Sequence, residues 1–204
     1  MNDITLTEDQ RDCLQELINV AMGQASDKLA RYLQTFVHLQ VPYIELIDST
    51  VLPERFAETY AEEGVSLVSQ GFYGERGILG ESLLIYKSHD AHGIAEILGY
   101  EPDDVSEVEQ LTDISSILTT TFLNGLAEQI DNQLAYSAPR VVSSMETPLE
   151  QHLQQLSFNW DLALKVDISY QVVDFSFNCD MVLLIPGEAI KNIQTVLDQI
   201  LDEF

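Results

Sequence analysis

A set of three polar residues and one proline occurs twice along the chain, and each residue of the second set lies 97 positions after its counterpart in the first. The first set is Asp12, Glu16, Asn19 and Pro42, with 22 residues between the asparagine and the proline. The second set is Glu109, Asp113, Ser116 and Pro139, with 22 residues between the serine and the proline. Self-similarity at a fixed period is the signature of a repeated supersecondary unit. The offset therefore predicts a fold built from two related halves.

The predicted elements follow the same order in both halves, a helix, three strands and a shorter helix. The first half reads as a helix from about residue 8, strands at 42–50, 65–74 and 77–87, a loop or short helix at 51–63, and a helix at 88–99. The second half reads as a long helix at about 106–132, strands near 138–146, 160–173 and 176–185, a turn region near 147–158, and a helix at 187–203.

These elements predict one α+β domain over residues 1–204, composed of two repeats at about 1–102 and 103–204. We expect an antiparallel sheet with the two long helices side by side on one face, related by a pseudo-two-fold axis. No linker-like stretch separates the halves, which disfavours two separate domains.

The first long helix is predicted to carry two opposite stripes. A capping box formed by Thr7 and Gln10 starts it, and Ser106 and Glu109 make another at the start of the second long helix. The apolar positions of the first long helix recur at helical spacing; they are Leu14, Leu17, Ile18, Ala21, Met22, Ala25, Leu29, Leu33 and Phe36. The opposite stripe consists of Asp12, Glu16, Asn19 and Gly23.

Two readings of the polar stripe stay open at this point. Asn19 is a modest helix former, and Gly23 costs about 1 kcal/mol relative to alanine inside a helix. Such residues on an exposed face suggest that another molecule approaches closely. A solvated face that carries an acid and an amide is the simpler alternative, because acid–amide pairs at i, i+3 are common.

The charge composition limits the classes of molecule that the chain is expected to bind. The 34 acidic residues outnumber the 9 basic ones, which gives a net charge of −25 and argues against nucleic acid or an anionic membrane as partner. We expect a cytoplasmic protein, because the N-terminus lacks a signal peptide and no apolar run is long enough to span a membrane. Cys13 and Cys179 are isolated and are predicted to be reduced packing residues. We predict no metal site; His89 and His92 lack a third ligand.

The motif Asp12-x-x-x-Glu16-x-x-Asn19, followed after 22 residues by Pro42, resembles the signature of the CheC, CheX and FliY family of response-regulator phosphatases. The segment ELINVAMGQA around Gly23 is similar to the helix of that family, and the duplicated order matches it along essentially the whole chain. The resemblance implies that the substrate is the aspartyl phosphate of a CheY-like response regulator, dephosphorylated in chemotaxis or two-component signalling.

The resemblance also implies a role for each residue of the motif. Asn19 would hold a water in line with the phosphorus, because an amide is not a base near neutral pH. Glu16 would pair with the active-site lysine of the regulator and dock the helix. Mg²⁺ would come with the regulator, so we expect no cofactor of the chain's own. Pro42 would support the strand behind the helix.

The second set departs from the family pattern. Asp113 is one methylene shorter than glutamate, and Ser116 has a hydroxyl where the pattern has an amide. We therefore predict a degenerate second site that is inactive or weak.

A non-catalytic binding module is the alternative function. It would bind a phosphorylated regulator or a CheD-type deamidase, which some family members bind. The intact Glu16 and Asn19 favour the enzyme. The length of 204 residues argues against a third reading, a flagellar-switch subunit with an appended domain.

Overall fold

A computed structural model describes residues 4–39, 43–48, 50–60, 65–87, 93–101, 105–143, 162–172 and 177–203. Pro42, His89, His92 and the turn predicted near 147–158 lie outside these ranges. The helices are α1 (Glu8–Leu33), α2 (Leu52–Tyr60), α3 (Ile94–Leu98), α4 (Glu107–Gln129) and α5 (Gly187–Leu201). The strands are β1 (Val37–Leu39), β2 (Tyr43–Asp48), β3 (Val65–Gly74), β4 (Leu79–Lys87), β5 (Leu134–Tyr136), β6 (Arg140–Ser143), β7 (Leu162–Val172) and β8 (Phe177–Pro186).

Capping boxes start both long helices, as the sequence predicts. The Thr7 hydroxyl accepts a hydrogen bond from the Gln10 backbone N–H at 3.2 Å, and the Gln10 side chain accepts one from the Thr7 N–H at 3.1 Å. Ser106 and Glu109 make the same reciprocal pair at the start of α4. Each box satisfies donors that have no partner inside a helix.

The described strands form one antiparallel sheet whose order is β1, β7, β8, β4, β3, β5. β2 also pairs with β7, and β6 also pairs with β3. The short strands β1 and β2 of the first half thus pair with β7 of the second, and β5 and β6 of the second half pair with β3 of the first. β4 meets β8 in the middle of the sheet. If each strand is replaced by its counterpart in the other half, the strand order is the same when read from the opposite edge of the sheet. This is the α+β fold that we expected; the duplication and its boundary near residue 102 stay predictions.

The main core lies between one face of the sheet and the helices α1, α3, α4 and α5. α1 and α4 lie side by side on this face, and an ideal Cβ on Gly125 of α4 would be 3.2 Å from the backbone oxygen of Ala21 of α1. Hydroxyl pairs join α4 to β4: Ser115 lies 2.7 Å from the Tyr86 hydroxyl, and Thr119 lies 3.2 Å from Ser82. α2 packs on the opposite face, where Leu52 and Phe56 are buried in a smaller core.

The prediction of the apolar stripe of α1 is wrong at Phe36, the last residue of the stripe. The helix ends at Leu33, and Gln34 adopts a left-handed conformation with φ of 53°. The helical phase is therefore lost after Leu33, and Phe36 is 75% exposed instead of buried.

Several other boundaries also differ. The strands β1 and β5 were not predicted, because three residues are too few to show an alternating pattern. α4 stops at Gln129, since Asp131 has φ of 46° and the Asn132 side chain turns to the backbone of Glu75. The helix predicted at 88–99 is described only over Ile94–Leu98. None of the helices in the described ranges has the length and hydropathy needed to cross a membrane.

Candidate functional site

The outer face of α1 carries the candidate site. Asp12, Glu16, Asn19 and Gly23 are all exposed. On the opposite side of the helix, Leu14, Ile18, Ala21, Met22 and Ala25 are buried. The structure therefore brings Asp12, Glu16 and Asn19 together on one accessible surface, as the helical spacing predicts.

Contacts near both ends of α1 fix the helix to the rest of the fold. The Gln10 side chain donates to Asp198 of α5 at 2.7 Å, and Lys28 forms an ion pair with Glu128 of α4 at 3.3 Å. The buried face adds apolar burial along the whole length of the helix. A side chain on α1 consequently starts from a backbone that is fixed by packing.

Glu16 and Asn19 are one turn apart, so their Cβ atoms are about 5–6 Å from each other. Within the described residues, Glu16 makes no hydrogen bond or ion pair and its carboxylate is open to a cationic partner. The Oδ1 atom of Asn19 accepts a hydrogen bond of 3.3 Å from the Nε2 atom of Gln15. Asn19 still has its Nδ2 donors and a second acceptor position on Oδ1 for a ligand.

Gly23 lies on the same surface, in the third turn after Asp12. An ideal Cβ at this position would meet no heavy atom within 4 Å. The fold itself therefore leaves room for a side chain at residue 23. A glycine here leaves the helix backbone bare beside Asn19, which lets another molecule approach it closely.

In the second half, the structure gives the corresponding residues other partners. The Tyr100 hydroxyl donates to the Asp113 carboxylate at 2.5 Å, and this bond is the main reason why the pKa of Tyr100 lies above its usual value. Glu109 belongs to the capping box, and its hydrogen bonds from Ser106 lower the pKa of its carboxyl. Ser116 is half-buried on α4, and Pro139 directly precedes β6.

Comparison with known proteins gives relatives in sequence and several structures of the same fold. No family model matches the chain. CheC from Bacillus subtilis (strain 168), named as a CheY-P phosphatase, is 25% identical over 173 residues, which cover 80% of this chain and 81% of that protein. FliY from Thermotoga maritima matches over 96% of this chain and 99% of its own, with a TM-score of 0.66 and 15% identity. The chain is CheC-like.

A third similar structure comes from a FliG–FliM complex of H. pylori. It matches over 93% of this CheC-like chain and 100% of its own length, with a TM-score of 0.63 and 12% identity. At these identities, the two solved structures show the fold alone. They show that proteins with several different names share the arrangement of helices and strands that carries the candidate site.

Two residues beside the candidate sites were missed by the sequence analysis. Gln15 is four residues before Asn19, and such a Gln–Asn spacing on a helix is a recognisable local signal. Tyr100 is 13 residues before Asp113 and follows α3. No helical spacing connects Tyr100 to α4, so only the packing of α3 against α4 reveals that contact.

The two cysteines of the chain lie in the main core or pack against it. Cys13 and Cys179 are not joined in a disulfide, and burial raises the pKa of the Cys13 thiol, which keeps it protonated. Among the described residues, no group of three or more His, Cys, Asp or Glu side chains could hold a metal ion. The chemistry of the described surface therefore rests on carboxylates and amides, with Asp12, Glu16 and Asn19 exposed.

Proposed function

We propose that this CheC-like chain accelerates hydrolysis of the aspartyl phosphate of a CheY-like response regulator. The observation that carries the proposal is the pair Glu16 and Asn19, which are exposed one turn apart on a packed helix, with Glu16 unpaired among the described residues. The name of the B. subtilis relative, a CheY-P phosphatase, supports the same substrate.

Asn19 acts by positioning. An acyl phosphate is already activated, so much of the remaining barrier is the cost of placing a nucleophile in line with the phosphorus. The Oδ1 atom accepts a hydrogen bond from the attacking water, and Nδ2 can donate to a phosphoryl oxygen. As the water oxygen bonds to phosphorus, the bond from phosphorus to the aspartyl oxygen breaks and the aspartate leaves as a carboxylate. The water loses its proton to the phosphate or to solvent, because the amide is not basic.

Glu16 acts by docking. Its carboxylate pairs with the active-site lysine of the regulator, and a charge-assisted hydrogen bond of this kind contributes about 1.5–3 kcal/mol. The net charge of −25 favours a regulator with a basic rim around its active site, because opposite charges raise the rate of encounter. We expect Mg²⁺ to be bound by the regulator, where it neutralises the phosphoryl oxygens.

Phosphate release from phosphorylated candidate regulators tests the proposal. We expect the chain to shorten the lifetime of the aspartyl phosphate on at least one regulator, and Asn19→Ala to lose that effect. Ser116→Ala is the matched control, because it alters the corresponding position of the second half and should leave the rate nearly unchanged. If the wild-type chain does not accelerate phosphate release from any phosphorylated regulator of its source organism, the proposal is wrong.

The second candidate is a binding module without catalysis. The chain shares its fold with the FliY structure and with a chain of the FliG–FliM complex. Because that complex was solved as an assembly of two proteins, it supports a binding role for this fold. Such a module would bind the phosphorylated regulator, or a CheD-type deamidase, without changing the lifetime of the phosphate. Titration calorimetry with each partner, run beside the phosphate assay, separates binding with turnover from binding alone.

A further inference from the structure

We propose that Gln15 is a positioning residue that holds the Asn19 carboxamide in one orientation for catalysis. The inference rests on the proposed function of Asn19. Its structural basis is the hydrogen bond of 3.3 Å from Gln15 Nε2 to Asn19 Oδ1 across one turn of α1. No motif of the sequence includes Gln15.

Asn19 needs such a partner, because the terminal torsion of an asparagine side chain is broad and roughly two-fold. In one orientation Oδ1 lies toward Gln15, and in the flipped orientation Nδ2 lies there instead. Glu16 adds a competing interaction, since its carboxylate lies one turn from Asn19 and could accept a hydrogen bond from Nδ2. A Glu16–Asn19 pair would occupy both the docking group and the amide.

The donor of Gln15 determines which atom of the amide faces it. It binds Oδ1, and the described residues contain no Glu16–Asn19 hydrogen bond. Oδ1 has two acceptor positions, so Gln15 and the attacking water can share it. The water thus meets an acceptor whose direction is already set, which lowers the entropy lost when the reacting geometry forms.

The second half lacks this contact. The offset of 97 positions places Thr112 where the first half has Gln15. The Thr112 hydroxyl turns back to the backbone oxygens of Val108 at 3.0 Å and Glu109 at 2.9 Å. It therefore satisfies its own helix and is not directed at Ser116.

Two substitutions separate the donor of Gln15 from its size. Gln15→Met keeps the length and removes the hydrogen bond, so the amide spends about half its time flipped; we expect kcat to fall about two- to fivefold with KM within twofold. Gln15→Glu offers only acceptors and holds Nδ2, which reverses the amide. For this variant we expect kcat at saturating regulator to fall by more than about tenfold.

NMR of the isolated protein tests the contact without any activity. The side-chain ¹⁵N and ¹H signals of Asn19 should shift in Gln15→Met, while those of Asn124 stay in place. Asn124 is a suitable internal control, because its Oδ1 accepts a hydrogen bond of 2.7 Å from Tyr136 and does not involve Gln15. Thermal melting checks that the variant is folded.

The outcomes distinguish this inference from the proposed function. Unchanged Asn19 signals in Gln15→Met overturn the inference, whatever the activity. Shifted signals with a wild-type chain that dephosphorylates no regulator support the orienting contact and overturn the proposed function. With an active wild type, a loss confined to KM or an unchanged kcat in Gln15→Met overturns the positioning role.

Discussion

Replacing Gly23 by alanine should raise the stability of the protein and weaken its function. The stability gain follows from two observations: Gly23 lies inside α1, and its added Cβ would meet no atom within 4 Å. Alanine is better than glycine in an exposed helix interior by about 0.8–1 kcal/mol. For a chain of this size, that free energy raises the melting temperature by about 2–4 °C.

The functional loss follows from the same open space. If the regulator approaches the helix backbone beside Asn19, a methyl group at residue 23 occupies part of the contact surface. Forcing an extra carbon into a well-packed contact costs about 1–3 kcal/mol, so KM should rise about 5- to 150-fold. Calorimetric melting gives the stability of the variant, and phosphate release at several regulator concentrations gives KM.

Gly125→Ala is the matched control, because Gly125 is also a helix-interior glycine. Its Cβ would be 3.2 Å from the backbone oxygen of Ala21, which packing prevents from moving away. We expect the crowding between α1 and α4 to offset or exceed the gain in helix propensity, so that the variant does not melt above wild type. A Gly23→Ala protein that is stabilised but has wild-type KM and kcat would refute the close approach, and one that is destabilised would refute the open environment.

Asn19→Ala should abolish most turnover with nearly unchanged affinity for the regulator, whereas Glu16→Lys should also weaken binding, because one residue orients water and the other docks. Equal losses of affinity with unchanged turnover would contradict these roles, as measured by binding and saturation kinetics on the same regulator. The second half should contribute little catalysis, so Ser116→Ala added to Asn19→Ala should change the remaining phosphate release by less than about twofold. In the Asn19→Ala background, Asp113→Glu with Ser116→Asn should restore part of the phosphate release. Adding Tyr100→Phe should restore it more fully, because it removes the hydroxyl that holds residue 113. Equal activity with and without Tyr100→Phe would show that this contact does not limit the second site.

Local features of the chain could be predicted wherever neighbours in sequence decide them. Both capping boxes formed at Thr7 and Ser106, since their hydrogen bonds join residues three positions apart. β3 has the predicted bounds of 65–74. The exposure of Glu16 and Asn19 follows from the 3.6-residue period of α1, which places them opposite the apolar stripe. The pairing of the two halves was foreseen only in outline, from the constant offset.

Contacts between distant segments required the tertiary structure. Asp113 has the spacing of a docking acid, but the fold brings Tyr100 to its carboxylate across the connection from α3 to α4. Gly23 and Gly125 look alike as helix-interior glycines in the sequence. One faces open space, and the other lies against the backbone of the neighbouring helix. Helical periodicity determines the side of a helix on which a residue lies, whereas the atoms that lie opposite that side depend on how the helices pack.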